Sequence, residues 1–148
     1  MTDPDTLSED IQDALEELCD QGNEAMDEGE FKEAVAFFEQ ALAVLPQPAE
    51  EWEPWGWLQA ALGDAWYGMR EYARSLEYFR KAYAFAGPEE VNPFVLLRMG
   101  QCCRRLGDDK NAAEYLLQAY TLEGEDIFDG EADDFAFLKK TCPLERIR

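Results

Sequence analysis

One spacing, repeated three times, restricts the fold of this chain more than any other feature. Gly22 precedes Ala34 by 12 positions, Gly63 precedes Ser75 by 12, and Gly100 precedes Ala112 by 12. Four positions beyond each small residue stands a large apolar one, Phe38, Phe79 and Leu116, and seven beyond it another alanine, Ala41, Ala82 and Ala119. The seven-residue step is two helical turns, so each small pair shares one face of a helix. The pattern therefore reads as a helix, a tight turn and a second antiparallel helix, with the glycine opposite the large side chain so that the axes approach closely. Within 31–45, Phe31, Ala34, Val35, Phe38, Ala41, Leu42 and Leu45 form a core-facing stripe. Pro46 and Pro48 end that helix, Gly87-Pro88 ends its counterpart, and Gly29 and Gly107 supply turns. The first helix is expected from Ser8 as N-cap to about Glu28, with Leu7, Ile11, Ala14, Leu15, Leu18, Gly22 and Ala25 as its stripe. No such pair buries its apolar face alone, so the three must stack into a curved solenoid. A cap at Glu131–Lys140 would lay Ala132, Phe135 and Leu138 on the last pair.

Composition narrows the function. The 148 residues are 47% apolar and include 4 Trp, 6 Tyr and 9 Phe, enough for a packed core. Acidic residues outnumber basic ones 33 to 13, a net charge of −20 that repels phosphate backbones and anionic lipid. No histidine occurs, which removes the commonest general base and metal ligand and every Ser-His or Cys-His triad. The four cysteines, Cys19, Cys102, Cys103 and Cys142, form no C-x-x-C pair, and a zinc site without histidine would need all of them. They read as reduced, mostly buried small hydrophobes. The acidic start Met1–Asp10 does not read as a signal peptide, and no run approaches the ~20 apolar residues of a membrane span. A cytoplasmic location is expected.

The repeated unit resembles the tetratricopeptide repeat (TPR), whose signature is W-x2-L-G-x2-Y, then A-x3-F, then P. The matching residues are Leu62-Gly63-x2-Trp66 with Ser75-x3-Phe79, Met99-Gly100-x2-Cys103 with Ala112-x3-Leu116, and Gln21-Gly22-x2-Ala25 with Ala34-x3-Phe38 and Pro46. The resemblance implies an all-α fold: three helix-turn-helix pairs in a short right-handed solenoid, with an extended N-terminal helix and a C-terminal capping helix. A single domain over 1–148 is expected, with repeats at about 15–48, 56–89 and 93–124 and a cap at 125–148. It also implies a concave groove lined by the first helix of each pair. Carried over residue by residue, the groove would hold Glu16, Cys19, Asn23, Met26 and Asp27, then Trp57, Ala60, Asp64 and Tyr67, then Phe94, Leu97, Gln101, Arg104 and Arg105. Asn23, Trp57, Asp64, Tyr67, Phe94, Gln101, Arg104 and Arg105 are the candidate partner-binding set, a mixture of aromatic, amide and charged groups suited to protein recognition. The carboxylate clamp of chaperone-adaptor TPRs is broken: Asn23 and Arg98 occupy two of its places, but Cys19, Ala61 and Phe94 stand in the others.

The charge is concentrated at one end. Residues 1–54 carry 17 acids against Lys32 alone. Along the first helix Glu9, Asp13, Glu16, Asp20, Glu24 and Asp27 recur at helical spacing as an acidic ridge. The ridge is either a solvated face or a docking surface that steers a basic partner at long range. The run 125–134 lacks the D-x-[DN]-x-[DN]-G order of a calcium loop and reads as a polar loop into the cap. Phosphate-cradling glycine motifs are missing, and no metal or cofactor is expected.

Three segments, 57–67, 92–102 and 119–128, resemble a group of small bacterial TPR proteins often encoded beside polymorphic secreted toxins. That resemblance implies an immunity protein: a non-enzymatic module that blocks a cognate, basic toxin domain stoichiometrically. The alternative is a cytoplasmic TPR secretion chaperone holding a translocator or effector segment in its groove, which has nearly this size and charge. The long Trp-rich link at 52–57 and the Ile127-Phe128 tail fit that group less well. In either case the partner is a protein rather than nucleic acid or membrane, and self-association through the groove remains open.

Overall fold

The computed structural model describes residues 6–142 and 144. Its helices are α1 (Glu9–Asp27), α2 (Phe31–Val44), α3 (Glu53–Gly68), α4 (Tyr72–Ala86), α5 (Pro93–Arg105), α6 (Asp109–Glu123) and α7 (Ala132–Thr141), and no strand occurs among the described residues. The helices pack as pairs, α1 with α2, α3 with α4 and α5 with α6, and each pair stacks on the next through α2–α3 and α4–α5. The result is the helical solenoid that the repeat anticipates. The end of the expected cap, residue 143 and residues 145–148, lies outside the described residues, as does the start of the acidic N-terminal run.

Close approach within each pair follows from the repeated glycine. A Cβ placed on Gly22 would lie 2.5 Å from the Phe38 ring, one on Gly63 2.9 Å from Phe79, and one on Gly100 2.6 Å from Leu116. These large side chains are fully buried, so the glycine leaves the hollow that each knob fills. The second copy carries Ser75 where the others have alanine, and this costs nothing in unmet polarity. The Ser75 hydroxyl donates to the Gly63 carbonyl at 2.8 Å and accepts from Cys102 Sγ at 3.4 Å, tying α3, α4 and α5 together. Ser8 caps α1 as expected, its Oγ accepting from the Ile11 amide. The turns inside the first and third pairs use Gly29 (φ 75°) and Gly107 (φ 82°), whereas the second places Arg70 at φ 61°, a conformation costly for a side-chain-bearing residue.

The core has two blocks, and the division falls inside the middle pair. Leu58, Leu62 and Ala65 of α3 join the core of α1 and α2; Leu76, Phe79 and Ala82 of α4 join that of α5 to α7. Each layer is thus completed by the next pair, the physical reason a single repeat cannot stand alone.

Two expectations need correcting. The link before α3 is shorter than it reads: a 3-10 turn at Ala49–Glu51 is followed at once by α3, with Trp52 as N-cap and its indole N–H donating to the Pro46 carbonyl at 2.9 Å. Segment 125–134 is not simply a polar loop. Gly124–Phe128 forms a 3-10 turn that buries Ile127 and Phe128, with Phe128 stacked 5.0 Å from Phe135. In the cap, Leu138 is buried and Phe135 half-buried, but Ala132 is exposed.

Candidate protein-binding groove

The first helices of the pairs line a shared depression of about 450 Å³ that contains Asn23, Met26 and Asp27 from α1, Trp57, Ala60, Ala61 and Asp64 from α3, and Phe94, Val95 and Arg98 from α5. Its base includes the buried rings of Phe38 and Phe79. Trp57 and Phe94 are 51% and 62% exposed, which is unusual for side chains of this size. Asn92 fixes the entry of α5 by accepting from the Phe94 amide at 2.9 Å. Four of the candidate residues, Asn23, Trp57, Asp64 and Phe94, therefore converge.

A second, shallower apolar depression adjoins the first and is lined by Leu15, Glu16, Cys19, Glu53, Pro54 and Trp57. Trp57 lines both. Cys19, here half-buried, has its thiol pushed up by burial first and by the Asp20 charge second.

The remaining candidates lie elsewhere, because α7 takes the place that a further first helix would occupy. Gln101 is only 2% exposed: its amide donates to Asp134 of α7 at 2.8 Å and its carbonyl accepts from Arg98 at 2.7 Å. Arg104 pairs with Asp134 at 2.8 Å and lies over the Phe137 ring at 4.5 Å. Leu97 is buried. Arg105 remains exposed and lies 5.8 Å from the Tyr72 ring centroid, and Tyr67 is half-covered by the Arg98 guanidinium at 4.5 Å. The third pair thus contributes Phe94 and Arg98 to the open groove rather than Gln101 or Arg104. Arg98 was noted in the sequence only as a remnant of the broken clamp. Here it joins the groove to the cap, at 3.3 Å from Asp64 and 3.8 Å from Glu131. Burial raises the Asp64 carboxyl above its usual range, and the neighbouring Arg98 charge partly offsets this.

The ridge carboxylates Glu9, Asp13, Glu16, Asp20, Glu24 and Asp27 are all exposed, and none has an ion-pair partner among the described residues. Asp27 reaches the main depression and Glu16 the second, so the ridge runs into the groove.

The tetratricopeptide-repeat family model matches at residues 18–47 and 95–126, which cover the first and third pairs. This chain carries tetratricopeptide repeats. Its TPR solenoid also resembles solved structures. The type III secretion chaperone SycD of Yersinia enterocolitica, in complex with a peptide of the translocator YopD, superposes with a TM-score of 0.69 at 14% identity, over 86% of this chain and 92% of that one. PcrH in complex with the chaperone-binding region of PopB gives 0.67 at 20% identity, over 89% and 98%. MamA gives 0.63 at 14% identity, over 89% and 78%. At such identities the likeness establishes the fold alone. No curated protein matches the sequence. The resemblance to toxin-neutralising proteins gains no support from these comparisons. Among the described residues no helix is long and apolar enough to cross a membrane, and no cluster of metal-ligating side chains occurs.

Proposed function

We propose that this protein is a non-enzymatic TPR module that works in the cytoplasm and holds an extended segment of a partner protein in its concave groove, in the role of a secretion chaperone. One observation carries the reading: Trp57 and Phe94 stand exposed in the lining of one depression that also contains the buried rings of Phe38 and Phe79. Large rings held in water are costly unless something covers them, and such rings are the usual energetic anchors of protein interfaces. Two of the neighbours were solved with a segment of a partner protein, SycD with a peptide of the translocator YopD and PcrH with the chaperone-binding region of PopB, and both share this solenoid over most of their length. Affinity capture from the native lysate tests the proposal, using the wild-type chain and a Trp57→Ala/Phe94→Ala variant as baits. The partner should be retained by the first and lost, by roughly tenfold or more, from the second. Equal retention by both would remove the groove from the function.

A stoichiometric inhibitor of a basic toxin domain is the second reading, and the unpaired ridge on α1 favours it. In that case changing Glu9, Asp13, Glu16 and Asp20 to lysine would slow association strongly at low salt, while Trp57→Ala/Phe94→Ala would leave binding intact.

A further inference from the structure

The groove is not electrically neutral, and its charge is arranged around one side chain. Trp57 lines both depressions. Asp27 and Asp64 line the first with it; Glu16 and Glu53 line the second. Against these four carboxylates the two depressions contain, among the described residues, a single cation, Arg98, which is already engaged by Asp64 and Glu131. Asp27 moreover occupies the last turn of α1, where the helix dipole is negative and a carboxylate is unfavourable. Its position works against the helix and serves nothing else among the described contacts.

We infer that the occupant of this groove is an extended partner segment in which a bulky apolar residue is adjacent to lysine or arginine. This rests on the groove reading proposed above and adds the chemistry of the occupant. The apolar side chain fills the depression over Phe38, Phe79, Ala60 and Val95, and the cation lies across the exposed face of Trp57 within reach of the carboxylates that flank it. An indole face attracts a cation, and the attraction grows where neighbouring carboxylates add their field. Charge complementarity also selects among occupants. A second copy of this chain would bring a further net charge of −20, and the chain's own segment 1–5 carries Asp3 and Asp5, so both are repelled. The chain's last residues, Arg146-Ile147-Arg148, share the chemistry of the inferred occupant, so a variant lacking residues 145–148 should select the same peptides with the same affinity as the wild type; a clear gain in affinity on their removal would make them the occupant and overturn the partner assignment.

A displayed library of random, unstructured peptides, selected on the full-length protein, tests this directly. The selected pool should be enriched in Leu, Ile, Met or aromatic residues next to Lys or Arg. A peptide from that pool should lose about tenfold or more in affinity when its basic residues become Glu, and should weaken steeply with added salt. Asp27→Lys/Glu16→Lys should abolish the preference for basic residues while still binding apolar peptides. An apolar pool without basic enrichment, lost on Trp57→Ala/Phe94→Ala, would overturn the charge inference and leave the groove reading standing. A pool unchanged by Trp57→Ala/Phe94→Ala would overturn both. No enrichment at all would likewise overturn both; if the wild-type chain then sediments as a dimer that those substitutions dissociate, the occupant is a second copy. Both substituted aromatics are exposed, so their loss leaves the core intact and a retained helical circular-dichroism spectrum serves as the folding control.

Discussion

At the N-terminal end of the groove, α1 exposes Glu16, Asp20, Glu24 and Asp27 with no paired cation among the described residues; at the C-terminal end, Arg98 is tied to Glu131, the N-cap of α7, and Arg104 to Asp134 in its first turn. The two ends share one backbone plan, a first helix presented to the concave side. What separates them is the next helix in line. Beside α5 lies α7, which with its N-cap supplies Glu131 and Asp134 as counter-charges and turns candidate binding groups into structural ones. Among the described residues nothing covers α1 in the same way, so its charge is left for solvent or for a partner. In a solenoid, position in the array decides whether a polar residue on the concave face binds or braces.

The largest effect expected from breaking this contrast is at Arg104. Its guanidinium and the Gln101 amide both hold Asp134, whose side chain is only 14% exposed. Arg104→Ala leaves that carboxylate half-satisfied and should destabilise the protein by about 1–3 kcal/mol. Asp13→Lys on the ridge breaks no pair and relieves like-charge repulsion along α1, so it should leave stability unchanged or raise it slightly. Urea-induced unfolding of the two variants, followed by circular dichroism, compares them. Equal losses would mean that the cap pairing has no structural weight.

A smaller contrast separates the glycines of the two end pairs. The Cβ of Gly22→Ala would lie 2.5 Å from the fully buried Phe38 ring, which must be displaced, but its nearest neighbours include no backbone atom. That of Gly100→Ala meets Leu116 and also, at 3.3 Å, the Ala112 backbone carbonyl, which cannot move without α6. Overpacking costs typically ~1–3 kcal/mol, against a gain of up to ~1 kcal/mol in helix propensity. Gly100→Ala should therefore be the more destabilising of the pair, which paired thermal melts would show as the larger drop in Tm.

Much of this was legible in the sequence, because the repeat encodes it by spacing. The offset from Gly22 to Phe38, Gly63 to Phe79 and Gly100 to Leu116 correctly anticipated which side chains touch across each pair. The site was less legible. A repeat pattern assigns residues to the concave face but does not say what covers that face, so it leaves Gln101 and Arg104 open although α7 takes them. The complementary signal was Asp134, hidden in an acidic run in which every carboxylate resembles its neighbours. The same run concealed Ile127 and Phe128, two apolar residues too few to make a periodicity yet enough to bury a turn. Arg98 escaped for a related reason: its partners Asp64 and Glu131 are each more than thirty positions away in the chain.

The smallest expected effect concerns acid, and the two regions should respond with opposite signs. Asp64, beside the groove, has its carboxyl raised above 3.8 by burial, with the Arg98 charge opposing. The folded state therefore holds this proton more tightly than the unfolded chain, and Asp64 favours folding as pH falls through its raised range. Asp108, the N-cap of α6, has its carboxyl lowered below 3.8 by the side-chain and backbone hydrogen bonds from Asn111, at 2.7 and 3.2 Å. Its contribution is present above the unfolded value and lost as pH falls through the lowered one. Asp64→Asn should consequently make the protein lose more stability on acidification than the wild type does, and Asp108→Asn should make it lose less. Unfolding free energies measured from neutral pH into the acid range read both slopes. If the two variants bend the profile in the same direction, Asp64 is solvated like a surface carboxylate and Arg98 alone governs its proton.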